Sequence, residues 1–430
     1  MITTERLITL FHQYPLISTD SRQMVQGSIF FALRGESFNG NDFALQALQS
    51  GAAFVISDDP KYNGHDRIMV VDDVLSALQK MAVTHRQQFR IPLIAITGSN
   101  GKTTTKELVH RVLSKKFRTL ATEGNFNNHI GVPLTLLRIN EITEMAIVEM
   151  GANHPGEIDL LCRLAMPDFG LITNIGKAHL EGFGSFEGVV KTKTELYRYL
   201  QQHEGTIFYS TCDKILTEHA AGISSVGFGA PPARVVGLRA ESEPCVTITM
   251  EFSDGEKRTM TSGLYGGYNA GNILAAVTIG DYFGVSRDDI TEAVASYSPS
   301  NNRSQILRTN RNTLILDAYN ANPSSMEAAL KSFALTSFPS KVLILGDMLE
   351  LGPATHGEHE RILSLALELG FERILLVGPV FCTFGNKPGC LMFSDNNEAR
   401  GYLECHPVSG AAILIKGSRG MKLEHLTGVL

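Results

Sequence analysis

The run Ile94-Ala95-Ile96-Thr97 is apolar, stops at Gly98-Ser99-Asn100-Gly101, and restarts at Lys102-Thr103-Thr104 in a helix-forming stretch that reaches Leu113. A buried strand, a glycine-rich turn and a helix in that order form the layout of a phosphate-binding loop at the carboxyl edge of an α/β sheet. Gly98 and Gly101 can take positive φ, so backbone amides can approach phosphate oxygens, and the new helix points its unpaired amides and positive dipole end at the same place. Lys102 adds a mobile cation, and the Thr103 hydroxyl stands where such loops place a Mg²⁺ ligand. The first glycine of a regular Walker loop would fall at position 96, which is isoleucine, so this loop is tighter.

At 430 residues the chain is too long for one core. It should divide into two to four domains of α/β type, with Pro92 marking the entry to the central one. The net charge of −6 argues against a nucleic-acid or membrane-surface partner. The N-terminus lacks a basic stretch followed by an apolar core, and no run is long enough to span a bilayer, so a cytoplasmic location is expected. Six cysteines without a C-x-x-C pair read as reduced thiols rather than disulfides or metal ligands.

In the first 90 residues short apolar strands near 29–33, 53–56 and 68–71 alternate with helical stretches near 42–50 and 74–89. Two polar clusters, around Ser21-Arg22 and from Arg34-Gly35 to Asn41-Asp42, are explained by turn chemistry as readily as by a ligand. After the phosphate loop comes Asn125-Phe126-Asn127-Asn128-His129, dense in amides, and then the strand pattern Met145 to Met150. Glu149 ends that apolar strand at the sheet edge, where a metal-binding acid is needed.

A further strand from Phe169 leads to His179, and a helix beginning near Phe186 carries Lys191 and Lys193. Two residues apart is roughly 200° of helical rotation, so only one of these lysines can face the sheet edge. Beyond Gly205 the pattern turns to antiparallel alternation, with a hairpin closed by Asp254-Gly255. Asn269 and Asn272, three apart, share a helix face and suit a purine edge, with helix capping as the alternative for Asn269.

From Thr313 onward strands and helices alternate again, giving a parallel sheet with helices on both faces. Polar clusters follow its strands: Asp317 with Asn320 and Asn322, Asp347 to Gly352, and Lys416 to Gly420. His356 and His359 are spaced as a helical pair without a third ligand, which favours a surface helix over zinc.

Taken in order, Thr97 to Thr104, Asn125 to Pro133, Glu149-Met150-Gly151, His179 to Phe183, Tyr319-Asn320-Ala321-Asn322-Pro323 and Leu345 to Gly352 resemble the Mur ligase family along the whole chain. The resemblance implies an α/β protein of three domains: a small N-terminal α/β substrate domain over 1–90, a central P-loop-type ATPase with a mostly parallel sheet over 91–298, and a C-terminal Rossmann-like domain over 299–430. It implies ATP on Gly98, Ser99, Asn100, Gly101, Lys102, Thr103 and Thr104, with Asn269 and Asn272 on the adenine side and Arg303 and Asp317 reaching it from the last domain. It implies two Mg²⁺ on Thr103, Glu149, His179 and Lys193, and it selects Lys193 as a carbamylated lysine because that residue lies fourteen after the histidine. Lys102, Lys193, His179, Glu149 and Arg303 would be catalytic.

The implied small-molecule substrates are UDP-MurNAc-tripeptide and D-Ala-D-Ala, joined through an acyl phosphate in peptidoglycan precursor synthesis by a monomer. Ser21, Arg22, Arg34, Gly35, Asn41, Asp42, Asn127, Asn128, His129, Asn320, Asn322 and Asp347 would bind them. Members of the family commonly carry histidine where this chain has Asn41 and Tyr268. A ligase adding a single amino acid and a non-catalytic nucleotide module are the alternatives.

Overall fold

A computed structural model of the chain describes residues 3–385 and 387–430, so the first two residues of the 1–90 segment lie outside it. The elements form three sheets in chain order. The first has four parallel strands, Ile17–Ser18, Ile29–Phe31, Phe54–Ser57 and Ile68–Val70.

The central sheet has nine strands, ordered Lys257–Tyr265, Cys245–Phe252, Val235–Ser242, Ser224–Gly229, Thr206–Ser210, Phe169–Ile172, Leu93–Thr97, Met145–Glu149 and Thr119–Ala121. Pairing is parallel from Thr119–Ala121 as far as Val235–Ser242 and antiparallel only for the last two pairs. The change to antiparallel pairing therefore comes after Val235 and not after Gly205. The crossover that permits it is Lys214–His219, a helix of six residues, too short to show a helical period in the sequence. The expected hairpin is present, and Gly255 at its turn has φ +86.

Alternate residues of Leu93–Thr97 enter different cores: Leu93 and Ala95 join one, Ile94 and Ile96 the other. A strand covered on both faces reads as a continuous apolar run. The first of these cores also contains Leu7, Phe11, Leu78 and Met81: the helix Val74–Arg86 packs on the central unit's helices Gly131–Leu136 and Glu157–Ala165, and Thr4–Gln13 packs on Val74–Arg86. Buried Arg86 ties the seam by donating to the carbonyls of Phe89, Ile91 and Ala165. Residue 90 thus separates two sheets but not two cores.

The last sheet is ordered Gln305–Arg308, Thr313–Asp317, Ala412–Lys416, Lys341–Gly346, Arg373–Val377 and Cys390–Phe393. All its pairs are parallel except the first, an antiparallel edge, and separate apolar clusters cover its two faces. Among the described residues no helix is long and apolar enough to cross a membrane.

Candidate active site

Register brings the carboxyl ends of three central strands together, since Ile96 pairs with Glu149 and Thr97 with Ile172. The loop that follows depends on its glycines. Gly98 has φ +139, and a Cβ there would lie 2.0 Å from Thr173 Oγ1; Gly101 has φ +77, and a Cβ would lie 2.7 Å from Asn272 Oδ1. Asn174 shapes the turn from the neighbouring strand end, its carbonyl accepting from Ser99 N and its Oδ1 from Asn100 N. The helix Lys102–Leu113 starts from Gly101 without a side-chain cap, which leaves its first amides for a ligand.

Above the loop lies a cavity of about 650 Å³ between the central and C-terminal units. Lys102 Nζ folds back to donate to Gly98 O at 2.7 Å and Ser99 O at 3.1 Å. Burial lowers its pKa to about 8; the charge of Arg303 acts the same way, while that of Glu149 opposes. Thr103 and Thr104 are buried beside it and also line the cavity.

Glu149 is 1% exposed. Its Oε1 accepts from Asn127 Nδ2 at 2.8 Å, whereas its Oε2 is buried without a partner. His179, with φ +50, places its buried Nδ1 against the Glu350 carboxylate, and this contact holds Glu350 below the usual carboxylate range.

Lys193 is 1% exposed, with Nζ 3.4 Å from Ala152 O and 5.5 Å from the Phe183 ring centre, while Lys191 is exposed. Burial, reinforced by the charge of Lys102, drives the Lys193 amine well below its ordinary pKa. The helix therefore turns inward only the second of the two lysines.

The C-terminal unit closes the cavity. Arg303 stacks its guanidinium 3.7 Å from the Tyr319 ring centre and keeps a buried Nε without a partner. Asp317 accepts from Lys416 Nζ at 2.6 Å and from Ser304 N at 3.2 Å. Asn322 caps its own helix and donates to Asn100 Oδ1 at 2.8 Å, and Asn320 lines the wall.

Asn269 does not cap its helix. Its Nδ2 donates to Tyr265 O and Ser304 Oγ, its Oδ1 accepts from Asn272 Nδ2, and Tyr268 Oη meets Ser304 Oγ at 2.9 Å. Asn127, Asn128 and His129 form the opposite rim, where Asn128 Oδ1 accepts from the amides of Ile130 and Gly131.

Other candidates lie elsewhere. Ser21, Arg22, Arg34, Gly35, Asn41 and Asp42 do not line this cavity. Asn41 is fully buried, and its amide bonds Asn39, Ser57 and Asp58, which shapes the loop. Arg34 is bound to Asp58 and Arg22 to Asp20.

Asp347 is likewise internal: its carboxylate accepts from Val380 N and Phe381 N, and burial raises its pKa. The helix Thr355–Glu368 lies at the surface with His356 exposed, but it turns His359 inward. His359 is fully buried, accepting from Met348 N at Nε2 and donating from Nδ1 to Thr355 O. Its two bonds leave no nitrogen for a metal.

The donor set suits a hard cation. Glu149 offers an orphaned carboxylate oxygen, and Thr103 offers a hydroxyl at the loop. Among the described residues no three His, Cys, Asp or Glu side chains converge, so such an ion would complete its shell with phosphate oxygens and water, as Mg²⁺ does.

Lys416, which the sequence marks only as the start of a polar cluster and gives no role, lines the cavity and donates to Asp317. It ends the buried strand Ala412–Lys416 as Glu149 ends its own, so the rule that singled out Glu149 would have found it.

Residues 13–93, 96–280 and 302–419 match, respectively, the Mur ligase family catalytic domain, the Mur ligase middle domain and the Mur ligase glutamate ligase domain. The chain is 35% identical over 425 residues to the UDP-N-acetylmuramoyl-tripeptide--D-alanyl-D-alanine ligase of Bacillus subtilis, covering 95% of this chain and 92% of that one. Among solved structures, MurF from Acinetobacter baumannii superposes with a TM-score of 0.89 at 30% identity, covering 99% of this chain and 98% of that one. MurF ligase from Thermotoga maritima in complex with ADP gives 0.85 at 27%, covering 96% of each chain.

Proposed function

The chain belongs to the Mur ligase family, and from that premise we propose that it joins D-alanyl-D-alanine to UDP-N-acetylmuramoyl-tripeptide at the expense of ATP. The observation that carries this reading is the cavity itself, in which a phosphate loop, an orphaned carboxylate oxygen and an unpaired arginine nitrogen meet at the contact of two domains.

A peptide carboxylate is a poor electrophile at neutral pH. ATP must first transfer its γ-phosphoryl group: a carboxylate oxygen bonds to phosphorus, the bond to ADP breaks, and an acyl phosphate results. The loop amides and Lys102 would hold the triphosphate, with Arg303 offering its free Nε to the charge in flight. The dipeptide amine then attacks the carbonyl carbon, loses a proton, and expels phosphate from the tetrahedral intermediate. Asn320 and Asn322 face the cavity from the side where that amine would arrive, and the Asp317–Lys416 pair holds that wall.

Thr103, Glu149, His179 and Lys193 would hold two Mg²⁺, which when bound neutralise phosphate charge. An amine reacts with CO2 only when unprotonated, and the depressed basicity of buried Lys193 supports its carbamylation, which would turn a cation into an anionic ligand. Asn269, Asn272 and Asp317 would take the adenosine side. Ser21, Arg22 and the 34–42 loop would hold the uridine nucleotide, with Asn41 and Asp347 acting as internal supports. We take 1–90, 91–298 and 299–430 as the functional units, acting as a monomer.

A coupled phosphate-release assay tests the reading. Release should require ATP, the UDP-linked tripeptide and D-alanyl-D-alanine together. Equal release with single amino acids would favour a single-residue ligase, and none with any amine would favour a nucleotide-binding module.

A further inference from the structure

Two residues with left-handed backbone meet across the contact of the central and C-terminal units: His179 at φ +50 and Glu350 at φ +64. Neither is glycine, and such conformations persist only where the surroundings impose them. Buried His179 Nδ1 lies against Glu350 Oε2. Beside this contact Glu181 N donates to Glu350 O at 3.4 Å, and Gly352, at φ +53, packs so closely on Glu181 that a Cβ would lie 3.2 Å from its side chain.

The same segment is pinned two residues upstream, where Lys177 N donates to Ser324 Oγ at 2.9 Å and Lys177 Nζ reaches Glu358 Oε1 at 2.7 Å. The imidazole is thus set from the C-terminal unit, although the residue belongs to the central one.

A histidine that binds a metal through one nitrogen commonly has the other tied to a carboxylate, which fixes ring orientation and tautomer. We propose that Glu350 is a positioning residue for His179: it engages Nδ1, leaves Nε2 to face a divalent cation, and so makes cation affinity depend on docking of the C-terminal unit. The inference rests on the reading of His179 as a metal ligand.

The probe is Mn²⁺, titrated by electron paramagnetic resonance into the full chain with ADP bound. Glu350→Ala should weaken Mn²⁺ binding about tenfold or more, and the isosteric Glu350→Gln less, with ADP affinity in the absence of metal and the melting temperature unchanged. In the His179→Ala background Glu350→Ala should have little further effect. Unchanged Mn²⁺ affinity in both Glu350 variants, or effects of the two alanine substitutions that simply multiply, would overturn the proposal while leaving His179 as a ligand. Unchanged affinity in His179→Ala would instead remove the reading on which it stands. If Glu350→Ala fails to fold, Glu350→Gln and its double variant carry the same test at smaller amplitude.

Discussion

The first 90 residues and the C-terminal unit both lean on the central unit, but the first through a wholly shared apolar core and the second largely through polar contacts. At the first seam Leu7, Phe11, Leu78 and Met81 share one core with Leu93, Ala95 and Val148. At the second, Tyr265 and Tyr268 pack into the C-terminal core, but the remaining contacts are polar and surround a cavity: Asn322 to Asn100, Lys177 to Glu358, His179 to Glu350 and Tyr268 to Ser304. Apolar surface resists exposure in proportion to its area, whereas hydrogen bonds and exposed ion pairs exchange with water at small net cost. The first seam should open only on unfolding, and the second can open and close in the native protein. A ligase that must admit substrates and then shield an acyl phosphate from water needs that division.

Substitutions can break this contrast. The largest effect is expected behind the cavity wall at Ala152, where Lys193→Ala should lower ligation by at least about 100-fold while ATP still binds. Lys191→Ala, on the exposed face of the same helix, should match the wild type in the same phosphate assay. Equal losses would refute the distinction between buried and exposed lysine.

At the apolar seam Leu78→Ala should cost about 2–5 kcal/mol in urea unfolding. If the core is shared, the loss appears as one transition spanning both units; a separate early transition would mean that the first 90 residues fold alone. Deleting them should destabilise the remainder by exposing that core, so the shortened chain does not isolate nucleotide binding.

A pH series sharpens the picture at the loop. With a pKa of about 8 before the nucleotide binds, Lys102 is charged below pH 8 and increasingly neutral above it. Triphosphate binding favours the charged amine, so KM for ATP should be flat below pH 8 and rise about tenfold per pH unit above it. A flat profile to pH 9.5 would contradict this placement.

The smallest effect belongs to Lys177→Met, which should change stability by about 1 kcal/mol or less yet raise KM for the dipeptide, increasingly so at low salt where the lost pair counts most. A stability loss as large as that of Leu78→Ala would show that the two seams are alike.

Much of this was legible in the chain. The strand, loop and helix around residue 98 followed from an apolar run and two glycines, and Glu149 from a charge at a strand end. The choice between Lys191 and Lys193 needed more than rotation, because helical spacing says that one faces inward without saying which. Asn41 and Asp347 carried polar side chains in loop-like stretches, and only the fold revealed that those side chains are spent on internal bonds. Glu350 and Lys177 were invisible as partners because each acts on a residue far away in the chain.

Mass spectrometry of the reaction product decides whether the chain adds a dipeptide. With ATP, Mg²⁺ and a UDP-N-acetylmuramoyl-tripeptide carrying either lysine or diaminopimelate, we expect the tripeptide to gain one D-alanyl-D-alanine, with one ADP and one phosphate released per product. An intact tripeptide alongside bound ATP, or a tripeptide extended by a single amino acid in preference to the dipeptide, would contradict it.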